Sequence, residues 1–349
     1  MRIVVIGAAP TGLGVAYRFY QLQNDNVDVT KNVELIILEK ETLPGGLSRT
    51  VMDENGFSWD MGGHITFDHN LPYYIEAIRW AVDEWNILTR NCQVDISYMF
   101  NEKDLHLVPY PVQYAIPMFP SNIKKKCLKD LRDRCGKSEK INPPKNFDEW
   151  IKENFGPTLN NYFFKQYTQK VWTVKANQMN AAWVGSRVAK MPYKKLAELC
   201  AMNEKDLKKA DLGWGPNARF MFPKHYGTGS IWKSMTDKLP SEWFRFGCES
   251  KIIEKAIECL IRKSIISREQ IVSLFSILLP YGYPIPTINR DRELTRAHRI
   301  LEKHEIYSRG RFGGWKYEVS NQDHCFIQGK QIIDRLLLGE PETIYKNGL

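Results

Sequence analysis

Several large protein classes are excluded by what this 349-residue sequence lacks. Its seven cysteines (Cys92, Cys127, Cys135, Cys200, Cys248, Cys259 and Cys325) are odd in number and scattered. They form no Cys-x-x-Cys pair and have no histidine at ligand spacing, so neither a disulfide framework nor a zinc module is expected, and the thiols read as reduced. No metal site is expected. No apolar run approaches the ~20 residues of a membrane span. The first apolar run is only a strand long and meets a glycine turn without a small-residue cleavage site, which points to a cytoplasmic protein with no membrane partner. The formal charge of +9 is basic, but lysines fall in short stretches such as Lys124-Lys125-Lys126, without interleaved stacking aromatics. Nucleic acid is therefore not the expected partner, and an anionic small substrate accounts for the excess equally well. At 43% hydrophobic residues, the chain is long enough for two or three packed units.

What is present begins at the N-terminus. Ile3-Val4-Val5-Ile6 runs into Gly7 as a short buried strand, Ala8 to Gly14 reads as a turn, and Leu13, Val15, Ala16 and Phe19 have helical spacing. Val33 to Leu38 is a second β-rich run ending at Glu39, so the whole is a βαβ unit. Such a unit presents backbone N–H groups at a helix N-terminus to a pyrophosphate and a carboxylate to a ribose. Gly7, Gly12 and Gly14 are read as supplying the turn. Ala9 stands where a second glycine is usual, and Glu39 comes late, behind a polar insert around Asn24 to Asn32.

Further along, Pro44-Gly45-Gly46-Leu47 is a glycine-rich loop behind the second strand, readable also as a plain hairpin turn. Asp60-Met61-Gly62-Gly63-His64 places a histidine after paired glycines, where a flat ligand can approach; a structural histidine is the alternative. Leu71 to Leu88 reads as one amphipathic, tryptophan-rich helix. Val94 to Met99 and Leu105 to Val108 read as a hairpin that leads to Pro109-Tyr110-Pro111-Val112-Gln113. From Ser121 to Lys209 the chain reads as mostly helical, with caps at Ser121 and Asn146 and a helix over Leu159 to Val171. Arg187, beside Trp183, suits a phosphate or carboxylate, or is simply solvated. Trp214 to Asn217 and Phe222 to Gly229 read as loops, the second opening a helix with Ile231 and Trp232. Residues 253 to 279 read as two short helices, Tyr281 to Pro286 as a rigid loop, and a glycine-rich turn over Ser308 to Glu318 precedes a terminal helix.

Taken in order, Gly7-Ala8-Ala9-Pro10-Thr11-Gly12-Leu13-Gly14, Pro44-Gly45-Gly46-Leu47, Asp60-Met61-Gly62-Gly63-His64, Pro109-Tyr110-Pro111, Lys170-Val171-Trp172, Trp214-Gly215-Pro216-Asn217, Gly282-Tyr283-Pro284, Gly310-Arg311-Phe312-Gly313 and Asn321-Gln322-Asp323-His324 resemble the eukaryotic UDP-galactopyranose mutases over nearly the whole chain. The resemblance implies an α/β fold with a Rossmann-like FAD-binding domain, an inserted helical subdomain and a small antiparallel sheet. It divides the chain at 1–90 (FAD binding, first part), 91–118 (hairpin and substrate sheet), 119–212 (helical substrate subdomain), 213–256 (return to sheet and FAD domain, truncated), 257–305 (helical connection) and 306–349 (C-terminal FAD segment).

That family is a flavoprotein isomerase family. The resemblance implies interconversion of UDP-galactopyranose and UDP-galactofuranose on reduced FAD through a flavin N5–sugar adduct, with no net redox change and with NADPH or NADH as external reductant. By matching motif it implies that Gly7, Gly12, Gly14, Glu39, Gly45, Gly46, Leu47, Gly63, His64, Arg311 and Gln322 hold FAD. His64 and Arg187 carry the catalytic roles. Tyr110, Gln113, Phe163, Trp172, Arg187, Asn217, Tyr283, Tyr317 and Asn321 take UDP-galactose, and a homo-oligomer is compatible with the family.

The chain also departs from the family. A long segment expected between the strand matched by Arg245 to Lys251 and the helix matched by Ile257 to Arg262 is missing, and with it a second diphosphate-binding arginine and a tyrosine. Thr168 and Gly213 replace usual asparagines. A splice form, an incomplete gene model and a catalytically impaired paralogue all remain open, as does an FAD-dependent amine-oxidase-like oxidoreductase, whose superfamily shares the N-terminal fingerprint.

Overall fold

The computed structural model describes residues 1–67, 69–89, 92–101, 104–135, 143–184, 188, 190, 192–207, 210, 219–246 and 281–345. Arg187, Asn217, the helices expected within 253–279 and the seam expected at Ile252 to Ala256 lie outside the described residues.

In chain order the elements are β1 (Arg2–Ile6), α1 (Pro10–Asn24), β2 (Glu34–Leu38), β3 (Thr50–Met52), β4 (Ser58–Asp60), α2 (Pro72–Ala81), β5 (Trp85–Thr89), β6 (Gln93–Asp95) and β7 (Leu107–Pro109). They continue with α3 (Ser121–Arg132), α4 (Phe147–Leu159), α5 (Lys165–Trp172), α6 (Tyr193–Ala201), α7 (Glu204–Leu207), β8 (Arg219–Pro223), α8 (Gly229–Lys238), β9 (Phe244–Arg245), α9 (Arg290–Glu302), α10 (Gly310–Gly313) and α11 (Gln322–Ile333). Among the described residues the parallel sheet has the order β1-β2-β9, three two-stranded antiparallel ribbons are β3–β4, β5–β8 and β6–β7, and isolated bridges join Thr66 to Met221 and Met179 to Thr287.

The β-branched run of β1 pairs with β2 from Arg2↔Glu34 to Ile6↔Leu38, and the Gly7 N–H continues the ladder to the Leu38 carbonyl at 2.7 Å. The turn between β1 and α1 is shorter than expected, because α1 begins at Pro10, whose fixed φ suits a first helical turn. Gly12 and Gly14 therefore sit inside the helix and do not form the turn. A Cβ on Gly12 would collide with the Gly7 carbonyl, and one on Gly14 with the Phe326 carbonyl of α11. Their missing side chains let α1 lie against its own turn and against a helix some three hundred residues away in sequence.

Four other expectations change. The tryptophan-rich run is a helix only to Ala81. Val82 is extended, and Trp85–Thr89 pairs antiparallel with β8, from Trp85↔Pro223 to Thr89↔Arg219. The apolar residues run on through both elements, so periodicity alone does not mark the break. Ser121 is the first residue of α3 and caps nothing, Pro120 standing before it, whereas Asn146 does cap α4 by accepting the Glu149 N–H at 2.9 Å. Only Gln93–Asp95 and Leu107–Pro109 are strand in the expected hairpin, with Asp95 accepting N–H groups of both Ser97 and His106. The helix expected over Leu159 to Val171 is the end of α4, a π-turn over Asn160–Phe164 and α5.

Two cores result. One, in the helical part, gathers Ile116, Ile151, Leu159, Met179 and Leu196. The other packs Leu35 and Ile37 of the sheet with Phe19, Tyr74, Trp232 and Phe326 of the helices. The opposite face of the sheet is open: Val4 is 51% exposed, Ile6 90% and Leu38 42%. Among the described residues, no helix is long and apolar enough to cross a membrane.

Candidate active site

A cavity of about 2680 Å³ runs from the end of the parallel sheet to the wall of the helical part. It brings together Gly7, Gly12, Glu39, Gly45, Gly46, Leu47, Gly63, His64, Tyr110, Gln113, Trp172, Tyr283, Arg311, Tyr317, Asn321 and Gln322. Gly14 is not on its wall, because its role is the contact with α11. Phe163 is not on it either. Its ring is buried and stacked on Tyr167 at 4.9 Å, and it is Tyr167 that faces the cavity.

At the sheet end, Glu39 accepts the Ala8 N–H at 2.7 Å through Oε2 and the Glu41 N–H at 3.0 Å through Oε1. The carboxylate thus fixes the turn onto the end of β2. Its two oxygens have about four lone-pair sites, so these bonds leave capacity for ribose hydroxyls. Across the cavity, the buried Gln322 Oε1 at the start of α11 has no hydrogen-bond partner among the described residues. An unpaired buried acceptor is costly, typically about 1–3 kcal/mol, which favours a ligand donor at this spot. These features fit a bound dinucleotide.

The loop carrying His64 is held at several points. The Thr228 hydroxyl donates to the His64 carbonyl, and Thr66 exchanges backbone hydrogen bonds with Met221 at 3.0 and 2.9 Å. Burial, and then the Arg311 charge, push the His64 pKa below its ordinary value, against the opposing pull of Asp60. The ring is therefore neutral near pH 7, and its buried Nδ1 has no hydrogen-bond partner among the described residues. Lower in the same loop, His69 Nδ1 meets Asp323 Oδ2 at 2.5 Å, and His324 Nδ1 lies 3.1 Å from Oδ1. Burial acts to raise the Asp323 pKa, but the adjacent His324 and His69 rings hold it well below the usual carboxylate range. The donor atoms of these three residues lie within 4.8 Å of one another and are of metal-ligating types, though the carboxylate is already engaged by His69. Sequence reading missed this group, since His69 and Asp323 are 254 positions apart.

Aromatic rings form the far wall. Tyr317 lies edge-on to Trp172 at 4.7 Å and to Trp183 at 5.5 Å, and Tyr283 is 5.7 Å from both Trp172 and Tyr317. The Arg311 guanidinium sits 4.6 Å from the Tyr283 ring centre and donates to the carbonyls of Gly282 and Ser320. It places a fixed positive charge between the sheet end and the aromatic end. Gln113 is buried, and the Tyr167 hydroxyl donates to that of Tyr110 at 3.2 Å. Tyr167 and Trp183 are wall residues that the sequence reading did not assign. The heptad-like step from Phe163 to Tyr167 carried the signal, since the two lie one helical turn apart.

The chain is similar to reduced UDP-galactopyranose mutase, with a TM-score of 0.81 and 28% identity over 99% of this chain and 96% of that one. Two further structures are matched more distantly. One, from Exiguobacterium sp. 255-15, is named as a protoporphyrinogen oxidase (16% identity, 73% of this chain and 54% of that one, TM-score 0.45). The other is an oxidoreductase from Methanosarcina mazei (14% identity, 73% and 52%, TM-score 0.38). Residues 12–248 match the family described as flavin containing amine oxidoreductase. Since that match runs from α1 through the helical part to β9, well over half of the sequence, the chain belongs to the flavin containing amine oxidoreductase family.

Proposed function

We propose that this cleft holds FAD and isomerises UDP-galactopyranose and UDP-galactofuranose without net redox change. The observation that carries the proposal is that one cavity joins the glycine turn and Glu39 to an aromatic wall with a fixed arginine between them. The likeness to reduced UDP-galactopyranose mutase supports it. When bound and reduced, FAD supplies a nucleophilic nitrogen; the protein supplies position, charge and dryness.

Gly7, Gly12, Gly45, Gly46, Leu47 and Gly63 would line the cofactor, Glu39 would accept its ribose hydroxyls, and Gln322 would receive a donor from it. Arg311, immobilised by two carbonyls and the Tyr283 face, balances negative charge on either ligand. Neutral His64 offers its ring nitrogens without adding a second cation beside Arg311. Tyr110 and Gln113 would take the uracil end, Trp172, Tyr283 and Tyr317 would exclude water from the leaving diphosphate, and Asn321 would orient the sugar. Arg187 and Asn217, outside the described residues, are assigned to the diphosphate and sugar on motif alone. NADPH or NADH would reduce the cofactor, and the protein would act in the cytoplasm.

An oxidoreductase acting on an amine is the competing reading, favoured by the family to which the chain belongs. Both readings require a flavin. The experiment is to release the cofactor from purified protein by heat, identify it by mass, and titrate UDP into the holoprotein while following tryptophan fluorescence. FAD together with saturable quenching is expected. Absence of FAD under every loading condition overturns the proposal, and FAD without any response to UDP favours the amine reading.

A further inference from the structure

Tyr283 and Tyr317 meet across the mouth of the cavity from two loops that are remote in sequence. A part-buried ion pair joins those loops. Arg290, the first residue of α9, is only 4% exposed, and its Nη1 and Nη2 donate to Glu318 Oε2 and Oε1 at 2.8 and 2.7 Å. Its Nε also donates to Asp291 Oδ1 at 2.9 Å. Glu318 follows Tyr317 directly, and Arg290 closes the loop that begins at Tyr281 and carries Tyr283.

Other bonds hold this loop on the far side of the tyrosine. Its far side is pinned to the helical part, where the Asn180 N–H and side-chain amide donate to the carbonyls of Pro286 and Thr287. Tyr317 on the facing loop packs between Trp172 and Trp183. The fork of a guanidinium on a carboxylate fixes distance and angle together, which a single hydrogen bond or an apolar contact does not.

We infer that Arg290 and Glu318 are positioning residues whose bidentate pair sets the spacing of Tyr283 and Tyr317, and so the shape of the wall that receives a nucleotide diphosphate. Arg290 lies off the cavity wall, whereas Glu318 is on it, so Arg290→Lys, which leaves the Glu318 side chain in place, reads positioning alone. The nucleotide part of this inference rests on the proposed function; the spacing part does not.

The test is made on FAD-loaded protein with three variants: Glu318→Gln, Arg290→Lys and the double Arg290→Met/Glu318→Leu. Replacing an ion pair that is largely withdrawn from water by apolar residues of similar volume is often neutral for stability, so the double variant separates folding from positioning. Near-ultraviolet circular dichroism of the ligand-free holoprotein reads the Trp172–Tyr317–Trp183 contact, and UDP titration reads binding. The expectation is a melting temperature and FAD content near wild type in the double variant, an altered aromatic spectrum in all three, and UDP affinity lowered by roughly tenfold or more. Arg290→Lys, which keeps charge but loses the fork, should resemble the double variant in binding. An unchanged aromatic spectrum with UDP affinity within about twofold of wild type in the double variant overturns the inference. If wild-type protein does not bind UDP, the functional reading fails, and the spectrum alone still decides whether the pair sets the two tyrosines.

Discussion

The two halves of this molecule are finished to different degrees. In the helical part, Ile151, Leu159, Met179 and Leu196 are enclosed on all sides. In the sheet part, Leu35 and Ile37 are buried against helices while Val4, Ile6 and Leu38 on the reverse face are open to solvent. Strands of a parallel sheet are ordinarily covered on both faces, and the near-continuous apolar runs Ile3-Val4-Val5-Ile6 and Leu35-Ile36-Ile37-Leu38 are those of such strands. The segment expected from the resemblance to be missing falls at a seam outside the described residues. The contrast also separates the cavity's walls. Trp172, Tyr283 and Tyr317 stand on the enclosed half, whereas Gly7 and Glu39 stand at the end of the half-covered sheet.

The largest expected effect compares the two cores directly. Phe326→Ala removes a ring that packs against Tyr74, Trp232 and Tyr17 beside the Gly14 contact, and should cost about 3–5 kcal/mol together with most FAD retention. Ile151→Ala in the helical core should cost about 2–5 kcal/mol while leaving FAD content of the folded fraction unchanged. Urea unfolding and the visible absorbance of each variant measure both quantities. Equal loss of FAD in the two would erase the distinction between the halves.

Arg311 spans the boundary between them. Arg311→Gln should weaken FAD or UDP binding by about 1.5–3 kcal/mol, the range for one charge-assisted contact. It should also raise the His64 midpoint toward its ordinary 6.5, since the Arg311 charge is one cause of the depression. In the wild type the folded pKa of His64 lies below the unfolded one, so protonation favours unfolding. The stability tied to the neutral ring is complete above pH 6.5 and is lost as pH falls through the folded value. Histidine ring NMR across this window checks both signs; an Arg311→Gln midpoint lower than that of the wild type would contradict the assignment.

The smallest effect belongs to the open face. Ile6→Thr keeps β-branching at a 90% exposed position and should shift stability by no more than about 0.5 kcal/mol. Dynamic light scattering should show less self-association than wild type. A large destabilisation would mean that something in the full chain covers Ile6.

How far the sequence carried this account depends on distance along the chain. The βαβ unit is a local matter of β-branched runs and a glycine, and it is visible in forty residues. Gly12 and Gly14 were legible as important but misread as turn residues, because what demands their missing side chains, the Gly7 and Phe326 carbonyls, appears only on folding. Trp85 to Leu88 reads as helix in sequence because the strand's partner, Arg219–Pro223, is supplied by a remote segment. Tyr110, Gln113, Trp172, Tyr283 and Tyr317 were legible only through matched motifs; spacing alone brings none of them together. The Arg290–Glu318 pair left no sequence signal, and Asp323 stands in a matched motif that says nothing of its partner His69, 254 positions away.

The most direct test of the central claim is turnover by the protein loaded with FAD and reduced under anaerobic conditions. UDP-galactofuranose is added, and the nucleotide sugars are separated by anion-exchange chromatography while the flavin absorbance is followed. The account predicts that UDP-galactopyranose appears with the flavin still reduced at the end and no reductant consumed in proportion to product. Reduced FAD held in the protein with UDP-galactofuranose left unchanged, or a sugar product formed only as the flavin is stoichiometrically oxidised, would contradict it.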